Sequence, residues 1–450
     1  MQLGNSLATD LYQLTMAAGY FDSGMHQKRI SMELFVRGLP ASRRFMLVAG
    51  LADVVEHLRN FRFDESQIDY LRRVPGLRKA MSFELVETLR DFRFRGDLWA
   101  IPEGTVAFPN EPLLRVTGTL LEAQLMETAL LSIVNTATMV ASKAARIVLA
   151  AGDTRLLEFG SRRTSPEEAV SSARAAYIAG FDATSNVEAG YRYDIPLAGT
   201  AAHSWTMAHD TELEAFRGYV RVFPERSILL VDTYDTLEGT RRAIQAAGQK
   251  LAGVRLDSGD LESLSPKVRA LLDEAGLTET QIVASGDLNE HRIAALRAAG
   301  APIDVWGVGT ELVRSQDAPS LGGVYKLVED HDTGRKIAKL SQSKATLPGC
   351  HQVFRVSKNG RFSHDIVGTL PEFHVDAEPL LEPVLEGGKL VRELPTLSRI
   401  RMRAKQQLAA LPEGLERLEP GAVDEAYEVR ISDALGQLVE EVTERESARA

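Results

Sequence analysis

Five short apolar runs, each closing on polar or glycine residues and each followed by about a dozen residues of helical spacing, limit what this chain can fold into. They are RLLEFG (155–160), SILLVD (227–232), AGVRLDSGD (252–260), QIVASGD (281–287) and DVWGVGT (304–310). Such alternation predicts βα units on a parallel sheet. In a βα barrel the strand C-termini surround the active site, so Arg162, Asp232, Arg255, Asp257, Ser285, Asp287 and Thr310 are expected at one mouth. After any single strand, glycine and aspartate are ordinary loop and helix-cap residues. Five such ends in succession favour a site.

The flanks read differently. Thr9 to Phe21 predicts a helix with Thr9 as N-cap and Asp10 in its first turn, where the helix dipole favours a negative charge. Strand-like runs follow between Ile30 and Gly50, helix-spaced apolar residues to Leu89, and short strands between Phe94 and Gly118, where Pro102, Gly104, Pro109 and Pro112 punctuate the pattern. Thr119 to Gly152 is apolar but carries Glu122, Glu127 and Lys143, which argues for one or two buried helices over a membrane span. After Gly323, VYKLVE, KIAKLS, HQVFRV and RFSHDIV predict antiparallel strands able to rejoin the N-terminal part. The expected organisation is a discontinuous α+β domain (1–130 with 325–410), an α/β barrel (131–324) and a charged segment (411–450). The run Glu440, Glu441, Glu444 and Glu446 suggests partial disorder at the end.

Composition removes other classes. With 44% hydrophobic and 25% charged residues among 450, the chain has the make-up of an ordinary soluble enzyme. The net charge of -10 is dispersed and no basic block is present, so nucleic acid is not an expected partner. Cys350 is the sole cysteine; it can form no internal disulfide or CxxC zinc site, which fits a reducing, cytoplasmic setting. The start, MQLGNSLATDLYQLT, carries no basic region ahead of an apolar core, so no signal peptide is expected. Walker A, GxGxxG, GxSxG and HExxH motifs are absent. Phosphate would have to sit on the glycine turns Ser258–Gly259, Gly286–Asp287 and Gly307–Thr310, whose N–H groups precede helices.

TDLYQLTMAAGY (9–20), EFGSRR (158–163), AGTAAHS (198–204), RLDSGDL (255–261) and GVGTELV (307–313) stand in an order that resembles the nicotinate phosphoribosyltransferase family, and GGVYKLV (322–328) with LPG (347–349) extends the likeness. The resemblance spans roughly residues 5 to 400. It implies the type II phosphoribosyltransferase fold, an irregular βα barrel with an α+β domain, and a homodimer with shared active sites. Implied substrates are nicotinate, 5-phosphoribosyl-1-pyrophosphate and ATP, with Mg²⁺.

Residue by residue, the resemblance gives His203 as the phosphohistidine, and Arg255 and Asp257 as its catalytic companions. It gives Tyr12, Phe159, Arg162, Thr200, Ser204 and Arg255 to the substrate, and Ser258, Gly259, Gly286, Asp287, Gly309 and Thr310 to phosphoribosyl pyrophosphate. Asp257 is the candidate magnesium ligand, because Mg²⁺ prefers carboxylates together with substrate phosphates. Taken alone, Tyr12 would be a helix residue packed on the core, Arg163 an ion-pair partner of Glu158 or Asp257, and His209 structural. A nicotinamide-using relative is the nearest alternative, but neutral Ser185 stands where those relatives carry an acid. A quinolinate enzyme would require more cations. A Schiff-base lyase or isomerase lacks its lysine, since Lys250 precedes its strand. A non-catalytic scaffold would not require His203, Arg255 and Tyr12 together.

Overall fold

Residue alternation builds the central sheet. A computed structural model describes residues 4–225, 227–341, 344–418 and 427–448. Within Lys143–Pro319, one of two compact units, six strands run parallel: β1 (Arg155–Glu158), β2 (Ala183–Thr184), β3 (Ser227–Leu230), β4 (Leu251–Leu256), β5 (Gln281–Ala284) and β6 (Val305–Val308). Their order is β2-β1-β6-β5-β4-β3, a curled half-barrel. The five expected strands are all present, and Ala183–Thr184, too short to signal itself, adds the sixth.

Four of the strand ends lead into helices opened by a side-chain cap. Asp235 accepts from the Glu238 N–H (2.8 Å) to open Thr236–Ala247, and Asn289 accepts from the Arg292 N–H (2.9 Å) to open Glu290–Ala298. Ser165 and Asp260 likewise open Pro166–Ala179 and Leu261–Glu274. These caps satisfy N–H groups that the first helical turn leaves without partners.

Side chains two apart in a strand face the same side. Arg255 with Asp257, Val283 with Ser285, Val305 with Gly307 and Leu157 with Phe159 therefore share one face. Leu157, Ala183, Val283 and Val305 form its buried apolar floor, with Phe159, Ala198 and Ile228 packed against it.

The other unit combines the chain before and after this segment. Strand Arg29–Val36 pairs antiparallel with Gly323–Asp330 on one side and Pro112–Thr119 on the other, which is how the N- and C-terminal parts share one seven-stranded sheet. A second sheet contains His351–Lys358 and Arg361–Thr369. The charged segment from 411 onward is not separate: Val429–Ile431 extends this second sheet, and Asp433–Ser447, which contains the glutamate run expected to be disordered, is a helix burying Leu435 and Val442. Residues 419–426, 449 and 450 of that segment lie outside the described residues.

Two local expectations are corrected. The first helix is Leu11–Asp22, with Asp10 rather than Thr9 at the N-cap position; the Asp10 carboxylate accepts from the Thr128 hydroxyl (3.0 Å) instead of capping the helix. Apolar Thr119 to Gly152 forms one helix, Leu120–Ala151. Its length and composition would allow a membrane crossing, yet 61% of its most apolar window is buried in the fold and it buries Lys143 and Arg146, so it is a core helix.

Candidate functional site

Arg255 leaves β4 and its guanidinium is held on three sides. Nε donates to Ser285 Oγ (2.8 Å), Nη1 to Thr200 Oγ1 (2.9 Å) and Nη2 to Asp257 Oδ1 (2.5 Å). The Phe159 ring lies 5.6 Å from the guanidinium carbon. Fixing the fork in this way removes most of the rotamer freedom that a ligand would otherwise have to quench.

Asp257 also accepts from Ser285 Oγ (2.5 Å) and faces His203 Nε2 at 3.8 Å through Oδ2. Burial would raise its pKa, but the Ser285 hydrogen bond, Arg255 and His203 outweigh burial and hold the carboxyl below its usual value. On the far side of the imidazole, Nδ1 lies 3.2 Å from Thr233 Oγ1. The ring begins the short helix His203–Met207 and is partly exposed, flanked by a hydroxyl and a carboxylate.

Beneath this pair, Asp232 Oδ2 accepts from the Asp257 N–H (2.9 Å) and from Ser258 Oγ (2.6 Å). Its position at a strand end marked it in the sequence; this bracing role did not. Asp232 Oδ1 is buried without a hydrogen-bond partner. That oxygen, together with Asp257 Oδ2, supplies the hard carboxylate donors that suit Mg²⁺.

Glu158 ends β1 fully buried. It accepts from the Gly160 N–H and from Thr184 Oγ1 (2.5 Å), joining the EFG turn to β2; burial, partly offset by those two donors, raises its pKa. Sequence reading missed Glu158, Thr184 and Thr233 as site supports, because each acts through neighbours distant in the chain.

Two glycines fix the shape of the mouth. A Cβ on Gly307 would lie 2.6 Å from the Phe159 ring, so glycine here leaves room for the ring where it sits. Gly286 (φ +88°) would place a Cβ 2.1 Å from the Asp257 carbonyl oxygen, and Asp287 follows with φ +47°. A side chain at 286 is excluded both by conformation and by space.

Thus Phe159, Thr200, His203, Arg255, Asp257 and Ser258 are linked through direct or shared contacts. Gly259, Gly286 and Asp287 lie exposed on adjacent turns, and Gly309 and Thr310 follow β6 beside the Phe159 backbone. Arg162, Arg163 and Ser204 are exposed. Asp257 is paired by Arg255, not by Arg163. Tyr12, in the other unit, is 48% exposed, and its hydroxyl reaches Glu127 Oε1 at 3.4 Å. His209 stays structural, with Nδ1 2.8 Å from the Trp205 carbonyl and its ring tilted on Trp205. Lys250 precedes β4, away from the strand ends.

Elsewhere, Glu329, His331 and Cys350 have ligand atoms within 4.8 Å of one another. Glu329 carries the Lys336 ammonium, and burial with nearby Glu33 pushes the Cys350 thiol up to about 12, so this cluster favours a protonated thiol and an ion pair. Cys350 is buried.

A curled parallel half-barrel together with an α+β unit is the fold of the type II phosphoribosyltransferases. The chain belongs to the nicotinate phosphoribosyltransferase family: the family's N-terminal domain matches residues 7–135, the family region proper 154–343 and its C-terminal domain 353–439. It is 45% identical over 437 residues to a nicotinate phosphoribosyltransferase of Mycobacterium tuberculosis, covering 96% of this chain and 92% of that protein. The Bacillus subtilis enzyme of the same name is 41% identical, with 95% and 93% covered. Human nicotinic acid phosphoribosyltransferase matches in structure with a TM-score of 0.86 at 31% identity, covering 96% of this chain and 99% of that one. Nicotinate-nucleotide pyrophosphorylase from Pyrococcus furiosus gives 0.74 at 26% identity, covering 90% and 95%.

Proposed function

We propose that this chain joins nicotinate to 5-phosphoribosyl-1-pyrophosphate: the pyridine nitrogen bonds to ribose C1 as the C1–oxygen bond to pyrophosphate breaks, giving nicotinate mononucleotide and pyrophosphate. Family membership supports the reaction class. The observation that carries the site is Arg255, braced by Ser285, Thr200 and Asp257 beneath the Phe159 ring. A flat aromatic face suits an electron-poor ring, and a braced guanidinium suits a carboxylate or phosphate. Neutral Ser185 favours nicotinate, since an acid at that position would repel the substrate's carboxylate. Ser258, Gly259, Gly286, Asp287, Gly309 and Thr310 provide backbone donors on turns able to receive the phosphoribosyl group and pyrophosphate. Asp257 and Asp232 fit Mg²⁺, which would offset pyrophosphate charge.

ATP coupling is part of the same proposal. The His203 imidazole attacks the γ-phosphorus of ATP, the bond to ADP breaks, and ADP departs; water later returns the phosphoryl group as phosphate. Asp257 Oδ2 and Thr233 Oγ1, 3.8 and 3.2 Å from the two ring nitrogens, flank the imidazole and orient it. The added charge would act on binding, because forming the glycosidic bond does not itself consume ATP. Exposed Tyr12 supports a dimer in which this residue serves the partner's site. Mixing Tyr12→Ala with His203→Ala chains should then recover activity through hybrid dimers, and no recovery after subunit exchange would rule sharing out.

The deciding experiment assays nicotinate, nicotinamide and quinolinate in parallel, each with phosphoribosyl pyrophosphate, with and without ATP. Nicotinate should give the largest turnover and ATP should stimulate it. Greater turnover of nicotinamide would overturn the substrate assignment.

A further inference from the structure

Lys143 is among the largest fully buried side chains of the molecule. Burying an ammonium is costly unless it is paired, and three carboxylates surround this one: Glu290 at 2.6 Å, Asp317 at 2.8 Å and Glu311 at 3.7 Å. One helical turn further on, Arg146 Nε meets the other Glu290 oxygen at 2.9 Å. Burial alone would raise the Glu290 pKa, but Lys143 and Arg146 hold it below the usual carboxylate value.

The chain positions of the three acids give the cluster its meaning. Glu290 opens the helix after β5, directly following the Gly286–Asp287 turn. Glu311 follows Thr310 in the short helix after β6, and Asp317 ends the segment that returns from it. That return is tight: buried Ser315 adopts φ +40°, and its hydroxyl donates to the Ala318 carbonyl (2.9 Å). One ammonium therefore ties the turn after β5 to the turn after β6, although the two are separate loops at the strand ends.

We infer that Lys143 is a positioning residue that fixes the distance between the Gly286–Asp287 and Gly309–Thr310 turns, and with it affinity for the phosphoribosyl pyrophosphate end of the substrate pair; this rests on the function proposed above. Lys143 itself touches no substrate. Two phosphate-bearing turns act together only if their N–H groups converge at a set spacing, and a misplacement of about an ångström can cost about 10²-fold in rate. Asp317 carries the link at its half-exposed end, with 27% side-chain exposure against none for Glu290.

The test measures phosphoribosyl pyrophosphate affinity by calorimetry, and KM for each substrate, in Lys143→Met, Lys143→Arg and Asp317→Asn. Asp317→Asn loosens the β6 turn while Lys143 keeps Glu290, so it supplies a folded variant if Lys143→Met fails to fold. Circular dichroism confirms the fold of each. Weakened phosphoribosyl pyrophosphate binding, on the order of tenfold, with KM for nicotinate within about twofold and partial recovery in Lys143→Arg, supports the inference. Folded Asp317→Asn with unchanged phosphoribosyl pyrophosphate affinity, or with both substrates weakened equally, overturns it. Wild-type protein that binds no phosphoribosyl pyrophosphate would overturn the proposed function and this inference with it, whereas normal wild-type binding matched by every variant overturns the inference alone.

Discussion

Two arginine–aspartate pairs, one in each unit, show what separates a site from a strut. Arg355 is entirely buried: Nε and Nη2 donate to Asp365 (3.0 and 2.6 Å), Nη1 to the Val106 carbonyl (2.8 Å) and Gln407 (3.0 Å), and the guanidinium lies 4.3 Å from the Phe362 ring. Every direction from that cation ends on protein. Arg255 is held as firmly, yet its side chain is 13% exposed, its aspartate is 26% exposed, and that aspartate faces a histidine still further open to solvent. The same ion pair is closed in one unit to hold strands together and left open to solvent in the other.

The largest effect expected from this contrast is functional. Arg255→Gln should lower kcat/KM for nucleotide formation by roughly 10³-fold, about 4 kcal/mol, while leaving the melting temperature nearly unchanged. A melting temperature that collapses along with activity would make Arg255 a strut like Arg355.

Arg355→Met should do the reverse. Leaving Asp365 buried without its partner should cost about 3–5 kcal/mol of stability, read by chemical denaturation, with kcat/KM per folded molecule preserved. Preserved stability would show that Tyr427, which donates to Asp365 (2.8 Å), is sufficient to satisfy it.

His203→Ala should lose the acid-labile phosphoprotein and the stimulation by ATP, an effect of about tenfold, while slow ATP-independent synthesis persists. Mass spectrometry at neutral pH, with product formation measured with and without ATP, reads both. Phosphate found on His209 would redirect the mechanism.

The smallest effect is a slope. Burial and Asp365 hold Glu111 well above its ordinary value of 4.5, with Arg355 pulling only partly against them. The folded state therefore binds this proton more tightly than the unfolded chain, so the contribution is complete below 4.5 and is lost as pH rises toward the folded value. Asp257, held below 3.8, has the opposite sign: its contribution is present above that value and is lost as pH falls. Glu111→Gln should flatten the decline of melting temperature as pH rises above 4.5, whereas Asp257→Asn should leave that limb unaltered. An unchanged slope in Glu111→Gln would place the titration elsewhere.

What could be read in the sequence follows from where the information lies. Five strands of the half-barrel declared themselves because each is an apolar run closing on polar or glycine residues, and Arg255 and Asp257 close one of those runs, so their place at the mouth was legible. Ala183–Thr184 was not, since two residues carry no period. Glu158 and Thr233 were missed as supports because their partners lie 26 and 30 residues away. The first helix cap was misassigned because Asp10 spends its carboxylate on Thr128, a contact that only the folded chain brings within reach.

The seat of Phe159 depends on an atom that Gly307 lacks. In terms of descent, the two positions carry a single heritable character. A side chain at 307 fits only where residue 159 is smaller or its ring turns aside. Variation at either position is thus felt at the other, and the first change at 307 or 159 already alters the wall of the mouth.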